Sequence, residues 1–229
     1  MRGPLTVAAA QPPCTQKDVR SNALEHAGTI RMAHARVVVF PELSLTGYEL
    51  DADAISPDDE ALAPIAEACA ETGTVAFVGA PVEGEAGRTY IGLLQLTAAG
   101  IEVAYRKSYP GGDEPTRFSA GGGPAAVTVD GWRIGLGICK DTGVEEHVSD
   151  TAALDVDLYL AGLLHRPDEL DVQEERGIRI ARACGAYVAF ASFAGATGGG
   201  YAQTAGVSTI WAPDGTPIAR AGAEPGGIA

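Results

Sequence analysis

Three reactive side chains each come directly after a short apolar run that is typical of a buried strand. Glu42 follows the run V-V-V-F-P, Lys107 follows V-A-Y-R, and Cys139 follows I-G-L-G-I. Sheet folds commonly build functional sites at strand ends, so these side chains could meet at one edge. A carboxylate, an amine and a thiol together supply a nucleophile and the groups that activate it. The pattern predicts covalent catalysis by a cysteine.

Each of the three residues also has a simpler interpretation. Glu42 and Lys107 could each merely solvate the end of a strand, and Cys139 could be a small buried hydrophobic residue. For any one of them taken alone, that interpretation is favoured. The occurrence of an acid, an amine and a thiol at three equivalent points weakens it.

Length and composition favour one soluble globular domain over residues 1–229. The chain is 46% hydrophobic and 20% charged, which is ordinary globular usage and allows a sizeable core. A net charge of −14 repels nucleic acid and anionic lipid, so neither is an expected partner. No apolar run reaches the ~20 residues of a membrane-spanning helix, and residues 1–10 lack a signal-peptide pattern. We expect a cytoplasmic location.

Cysteine and histidine spacing predicts neither disulfides nor a metal site. The chain contains no C-x-x-C, H-x-H or H-E-x-x-H motif. The glycines at 121–123 lack the Lys-Ser or Lys-Thr of a phosphate-binding loop, and the G-x-S-x-G motif of serine hydrolases is absent. We therefore expect free thiols, no metal and no cofactor. His147, which follows Glu145 and Glu146, is expected to be a solvated helix residue.

Apolar runs and helical patterns alternate along the first half of the chain. Strands are predicted at 5–11, 36–40 and 74–79, with helices beginning at 19 and covering 58–72. The run at 36–40 has no polar alternation, as expected of a strand buried on both faces. Residues 90–96 and 101–106 flank a short turn and predict an antiparallel hairpin.

The second half repeats the alternation. Asp130-Gly131 is a strong turn signal and predicts a hairpin of 125–129 with 132–138. Further elements are predicted as helices at 144–153 and 168–184 and as strands at 158–163, 187–193 and 207–211. These elements indicate an α/β fold with mixed sheets covered by helices, in one domain.

Five segments, taken in order, resemble the nitrilase superfamily of carbon–nitrogen hydrolases. They are V-V-F-P-E-L-S-L-T-G-Y at 38–48, Y-R-K at 105–107, E-P-T-R-F-S-A-G at 114–121, I-G-L-G-I-C-K-D at 134–141 and G-V-S-T-I-W-A-P-D-G at 206–215. Each segment alone is moderate evidence, whereas the ordered set is strong. The resemblance implies an αββα sandwich that pairs through its helices into a homodimer or larger homo-oligomer.

The resemblance also implies a role for each matching residue. Glu42 becomes the general base, Lys107 the electrostatic stabiliser and Cys139 the nucleophile, with Glu114 as a supporting second glutamate. The implied activity is hydrolysis of a small non-peptide amide through a thioester. A nitrile-hydrolysing member of the same family and a catalytically silent binding protein that retains the fold remain alternatives.

Substrate-binding residues are predicted from the same segments. Tyr48, Lys140 and the stretch Leu163, Leu164, His165 and Arg166 would lie beside the acyl pocket. The two leucines would form an apolar wall, while Arg166 or Arg117 could bind a substrate carboxylate, although a surface position is favoured for both arginines.

Lys140 stands where relatives commonly have an aromatic residue. Pairing of its side chain with Asp141 or Glu145 is favoured over a second cationic role in the site.

Overall fold

The computed structural model describes residues 2–229, in which twelve strands and four helices alternate in two halves. The strands are β1 (Val7–Gln11), β2 (Val37–Val39), β3 (Val75–Glu83), β4 (Thr89–Thr97), β5 (Gly100–Arg106), β6 (Ala125–Val129), β7 (Trp132–Ile138), β8 (Leu158–Leu163), β9 (Tyr187–Ser192), β10 (Thr209–Trp211), β11 (Pro217–Arg220) and β12 (Gly227–Ile228). The helices are α1 (Val19–Ala33), α2 (Ala63–Thr72), α3 (Glu145–Ala152) and α4 (Leu170–Cys184).

The strands form two six-stranded mixed sheets. The first sheet has the order β12-β1-β2-β3-β4-β5, and the second has the order β11-β10-β9-β8-β7-β6. Three central strands run parallel in each sheet, β1, β2 and β3 in the first and β7, β8 and β9 in the second. The flanking strands pair antiparallel with them. This matches the mixed sheets predicted from the sequence.

Three apolar cores separate the four layers. One core packs α1 and α2 against the first sheet, the middle one lies between the sheets, and the third packs α3 and α4 against the second sheet. Val38 and Val39 are fully buried but belong to different cores, because successive side chains of a strand point to opposite faces. The predicted αββα sandwich is therefore confirmed.

Two predicted helices begin later than expected. α2 begins at Ala63 rather than residue 58, after a 3₁₀ turn that Asp59 caps by accepting a hydrogen bond from the Ala61 amide. Pro64 occupies the first turn of α2, where its missing N–H costs nothing. α4 begins at Leu170 rather than 168, after a 3₁₀ turn over Pro167–Glu169.

The C-terminal strands differ most from the sequence prediction. β10 begins at Thr209 rather than 207, because Val207 has a φ of 54° and cannot continue an extended strand. β11 and β12 were not predicted. They are short edge strands with little apolar alternation, and pairing with β10 and β1 defines them.

None of the helices within residues 2–229 is long and apolar enough to cross a membrane. Over the same residues, no group of three or more His, Cys, Asp or Glu side chains could hold a metal ion.

Candidate active site

The loop after β2 carries Glu42 into the space between the two sheets. Two glycines allow its backbone to pass there. A Cβ on Gly162 of β8 would lie 2.6 Å from the Phe40 carbonyl oxygen and 2.8 Å from the Glu42 amide nitrogen. A Cβ on Gly79 of β3 would collide with the Pro41 carbonyl oxygen and the Leu43 amide. Glycines on both sheets therefore hold the Glu42 loop by close backbone approach.

Glu42, Lys107, Glu114 and Cys139 meet at the ends of β2, β5 and β7, and we call them the ion cluster. Lys107 Nζ lies 2.6 Å from Glu42 Oε1 and 2.8 Å from the Glu114 carboxylate. All three charged residues are at most 2% exposed. The cluster thus holds two carboxylates and one ammonium out of water, and each carboxylate accepts a charge-assisted hydrogen bond.

Burial and the charges of the cluster keep Lys107 protonated and raise the pKa of Glu42 into the neutral range. Burial alone lowers the pKa of Lys107, but Glu42, Cys139 and Glu114 outweigh it and leave the pKa raised. Burial raises the pKa of Glu42 to about 7, with Lys107 opposing and Glu114 adding to the shift. A carboxyl group with this pKa can both take and return a proton at neutral pH.

Glu42 has one free oxygen. Oε1 is bound by Lys107, while Oε2 is buried and has no hydrogen-bond partner within residues 2–229. The Cys139 thiol is among the groups that lower the pKa of Glu42, so it lies close to this carboxylate. A buried acceptor without a donor is rare and costly, and such groups are typical of reactive positions.

Cys139 begins a tight turn immediately after β7. Its φ of 39° lies in the left-handed region, which is strained for a residue with a side chain. Its Sγ donates to the Leu164 carbonyl oxygen at 3.4 Å. Burial and Glu42 raise the pKa of the thiol far more than Lys107 lowers it, so the resting group is a neutral thiol. A thiolate stabilised at rest by Lys107, which the lysine charge suggests on its own, is therefore not present.

Glu114 is bound on all sides. Its carboxylate accepts from Tyr48 Oη at 2.7 Å and from the Gly111 amide at 2.6 Å, in addition to Lys107. These contacts fit a residue that fixes the lysine. Tyr48 was predicted to bind substrate, but its hydroxyl donates its hydrogen bond to Glu114. Burial raises the pKa of Tyr48 further above the neutral range.

The stretch after β8 divides into three environments. Leu163 packs its side chain into the core under α3 and α4, so it does not form the predicted acyl wall. Leu164 is buried, and its carbonyl oxygen accepts a hydrogen bond from the Cys139 thiol. His165 is buried with Nδ1 3.2 Å from Gln173 Oε1 and Nε2 3.4 Å from Arg176 Nη1. Both of its ring nitrogens are thus engaged.

The two candidate arginines differ. Arg117 donates from Nη2 to the Ala52 carbonyl oxygen and lies over the Phe118 ring, while its buried Nε has no hydrogen-bond partner within residues 2–229. Arg166 is exposed, and its guanidinium lies 5.5 Å from the centre of the Tyr201 ring. The Tyr201 ring in turn packs edge-to-face on Tyr48 at 5.4 Å. Arg166 is therefore the arginine connected to the ion cluster.

Lys140 points outward, but the pairing expected from the sequence is wrong. Its Nζ is 3.4 Å from the Pro110 carbonyl oxygen and forms no ion pair with Asp141 or Glu145. Asp141 is unavailable because its carboxylate is buried and accepts from Tyr105, Tyr109 and Ile138.

His147 is not the solvated residue that its neighbours suggested. It is 1% exposed, and both ring nitrogens contact tyrosine hydroxyls. Its position on the buried face of α3, next to Val148 and four residues before Thr151, could have indicated this.

Comparison with known proteins agrees with the fold. The carbon-nitrogen hydrolase family model matches residues 6–229. A Pseudomonas protegens protein described as "Hydrolase in pqqF 5'region" is 30% identical over 235 residues, covering 96% of this chain and 80% of that protein.

Solved structures show the same fold at lower identity. An amidase from Nesterenkonia sp. AN1, in a mutant with the acetamide moiety of fluoroacetamide added covalently to its active-site cysteine, superposes with a TM-score of 0.85. It is 22% identical and is matched over 100% of this chain and 91% of its own. Nit3 from Saccharomyces cerevisiae gives a TM-score of 0.86 at 18% identity, covering 98% of this chain and 88% of its own.

The family model spans nearly the whole chain, and the Pseudomonas relative matches most of its length. This chain therefore belongs to the carbon-nitrogen hydrolase family.

Proposed function

We propose that the protein hydrolyses a small non-peptide amide through a thioester on Cys139. The observation that carries this proposal is the free Oε2 of Glu42, a buried carboxylate oxygen beside a partly buried neutral thiol. That oxygen is free to accept a hydrogen bond, and then a proton, from a thiol, a water molecule or a substrate that enters the site. Glu42 therefore acts as a base built into the site rather than as half of a static ion pair.

The first step forms the S–C bond. As Sγ attacks the amide carbon, its proton moves to Glu42, and the carbonyl π electrons move onto oxygen. Lys107 and the backbone N–H of Lys140 stabilise that oxyanion. Removing one such donor typically raises the barrier by ~3 kcal/mol. The C–N bond then breaks, and the amine leaves with the proton held by Glu42.

The second step releases the acid. Glu42, again a carboxylate, takes a proton from water as the water oxygen attacks the thioester carbon. The C–S bond breaks and the proton returns to sulfur. The pKa of about 7 suits Glu42 to this alternation, because neither of its protonation states is strongly favoured at neutral pH.

Lys107 and Glu114 have fixed roles in this scheme. The raised pKa of Lys107 keeps it an ammonium throughout, so it supplies charge and not a proton. Glu114 orients that ammonium and is itself held by Tyr48 and the Gly111 amide. Glu42 therefore exchanges the proton of the reaction, whereas Glu114 orients the lysine.

The acyl side of the pocket supports a substrate that carries its own carboxylate. Tyr48, Tyr201 and Arg166 form a continuous line of contacts outward from Glu114. The Arg166 guanidinium forms no ion pair within residues 2–229, and it could bind a carboxylate through two N–H groups. An ω-amide of a short dicarboxylic acid fits this arrangement.

Intact-mass spectrometry combined with ammonia release tests the proposal. As a probe of the Cys139 thiol, fluoroacetamide should add its acetamide moiety through an S–CH2 bond, with loss of fluoride and the thiol proton, to the wild-type chain and to Cys184→Ala, a matched control at another partly buried thiol, but not to Cys139→Ala. A panel of short amides and the corresponding nitriles then defines the reaction. Turnover of nitriles alone would assign nitrile hydrolysis, and neither adduct nor turnover would indicate a binding protein.

A further inference from the structure

A second buried polar group lies on the other side of Cys139, outside the ion cluster. It consists of Asp141, Tyr105, His147 and Tyr159, and we call it the hydroxyl chain. Tyr105 Oη is 2.8 Å from Asp141 Oδ2 and 2.9 Å from His147 Nε2, and His147 Nδ1 is 3.2 Å from Tyr159 Oη. All four residues are at most 3% exposed.

The hydrogen bonds of this chain have only one consistent direction. Both Asp141 oxygens accept backbone N–H groups, from Tyr109 at 2.9 Å and from Ile138 at 3.0 Å, so Asp141 is a carboxylate acceptor. Tyr105 therefore donates its single proton to Asp141. His147 Nε2 must then carry the hydrogen that it donates to Tyr105 Oη, which leaves Nδ1 to accept from Tyr159.

Ser108 fits the same direction. Its Oγ lies 2.9 Å from Tyr105 Oη, and since the tyrosine proton is used, the serine hydroxyl donates. Tyr105 Oη thus donates to Asp141 and accepts from His147 Nε2–H and from Ser108, whose backbone N–H also lies 3.3 Å from this oxygen. Burial lowers the pKa of His147, against the opposing effect of Asp141 and Asp150, which keeps the imidazole neutral at pH 7.

The hydroxyl chain connects the two segments that carry the reacting groups. Tyr105 lies two residues before Lys107, and Asp141 lies two residues after Cys139. Asp141 also binds the amide of Ile138, immediately before Cys139, and the amide of Tyr109, two residues after Lys107. Its carboxylate therefore ties the nucleophile turn to the lysine loop.

The nucleophile turn needs such support. A left-handed φ at Cys139 is strained and persists only where surrounding contacts fix it. A misplacement of ~1 Å between reacting groups can cost about 10²-fold in rate.

We propose that His147 is a positioning residue for the reaction, whose Nε2–H holds the Tyr105 hydroxyl on Asp141 and so fixes Cys139 relative to Lys107. This inference rests on the proposed function, since it takes Cys139 and Lys107 as the reacting pair. His147 touches no reacting atom, and its action passes through Tyr105 and Asp141.

Kinetics of four variants tests this role. His147→Leu and Tyr105→Phe, which both break the link to Asp141, should lower kcat by roughly 10- to 100-fold with KM nearly unchanged. His147→Gln, which keeps an N–H donor, should recover most of that loss. Tyr90→Phe, which removes the hydroxyl of a buried tyrosine outside the hydroxyl chain, is the matched control and should stay within about threefold of wild type. If His147→Leu does not fold, Tyr105→Phe and His147→Gln carry the comparison.

Two further measurements keep this inference separate from the proposed function. Long-range ¹H–¹⁵N NMR of the wild type, assigned with His147→Gln, should show the Nε2–H tautomer, and the Nδ1–H tautomer would overturn the inference. Iodoacetamide alkylation of Cys139 needs no substrate and should slow in parallel with kcat. An active wild type with a fully active, folded His147→Leu would refute the positioning role and leave the proposed function standing. An unreactive wild-type Cys139 would instead refute the function.

Discussion

The ion cluster and the hydroxyl chain lie on either side of Cys139 and differ in one respect. In the hydroxyl chain, every side-chain polar atom has a partner. In the ion cluster, one buried oxygen, Glu42 Oε2, has none within residues 2–229. A fully bonded network is rigid and can only hold its neighbours in place. Glu42 Oε2 has no hydrogen-bond donor and is therefore free to take up a proton. We assign positioning to the hydroxyl chain and proton transfer to the ion cluster because of this difference.

The same two segments serve both groups. β5 and the loop after it carry Tyr105 of the hydroxyl chain and Lys107 of the ion cluster. The nucleophile turn carries Asp141 of the hydroxyl chain and Cys139 of the ion cluster. Each segment is therefore held at one residue and reactive two residues away.

The largest expected effect comes from removing the reactive half of this arrangement. Cys139→Ala should abolish turnover, and Glu42→Gln should lower kcat by at least about 10²- to 10⁴-fold, because proton transfer is lost. The amide oxygen introduced by Glu42→Gln can still accept from Lys107, so the fold should persist. Steady-state kinetics with circular dichroism checks both, and wild-type-like turnover in folded Glu42→Gln would contradict the assignment of the base.

Lys107→Met should affect both activity and stability. It leaves the Glu42 and Glu114 carboxylates buried without a cation, which typically costs about 3–5 kcal/mol. Because Lys107 lowers the pKa of Glu42, its loss should also leave Glu42 protonated at pH 7. Urea unfolding should show the loss of stability, and activity should stay low even where the variant is folded. Arg31→Met, which removes one partner of an exposed ion pair, is the control and should be nearly neutral.

The pH dependence should follow Glu42. A base must be deprotonated to act, so kcat/KM should fall as pH drops through about 7, the value to which burial raises the pKa of Glu42. Ionisation of the Cys139 thiol does not affect this acidic side of the pH profile. The pKa of the thiol is raised, so the thiol stays protonated over this range. A profile that is flat from pH 5 to 8 would contradict this role.

The smallest expected effect concerns Arg166. An ω-amide of a short dicarboxylic acid should react better than a neutral amide of equal length, and Arg166→Met should remove that preference mainly through KM. Arg117→Met is the matched control, since Arg117 is occupied by the Ala52 carbonyl oxygen. Equal kcat/KM for acidic and neutral amides in the wild type would eliminate carboxylate recognition.

Local signals in the sequence predicted most of the strands and three members of the ion cluster, while Glu114 came only from the family resemblance. Continuous Val and Ile runs predict buried strands, and the three reactive residues stand directly at their ends. The hairpin of β6 and β7 around Asp130-Gly131 was confirmed with the predicted bounds.

Features that depend on contacts between distant segments were not predictable in this way. The burial of His147 depends on Tyr105 and Tyr159, which lie 42 and 12 residues away in the chain. The neutral state of the Cys139 thiol depends on burial and on Glu42, and neither can be read from the apolar run before it. The family resemblance placed the stretch that contains Leu163 beside the pocket, whereas strand alternation turns the Leu163 side chain under the helices.

The central claim is that Glu42 makes a hard-to-ionise thiol reactive. Burial raises the pKa of Cys14, Cys69 and Cys184 to about 11, and the pKa of Cys139 is raised even further. Because Glu42 is itself one cause of the raised pKa of Cys139, the reactivity of this thiol in our account depends on proton transfer to Glu42 and not on a resting thiolate.

Competitive labelling with limiting iodoacetamide at neutral pH, followed by peptide mapping, measures this directly. Cys139 should label first in the wild type and fall behind Cys14 and Cys184 in Glu42→Gln. Equal labelling of all four thiols in the folded wild type, or an unchanged Cys139 rate in Glu42→Gln, would contradict the account.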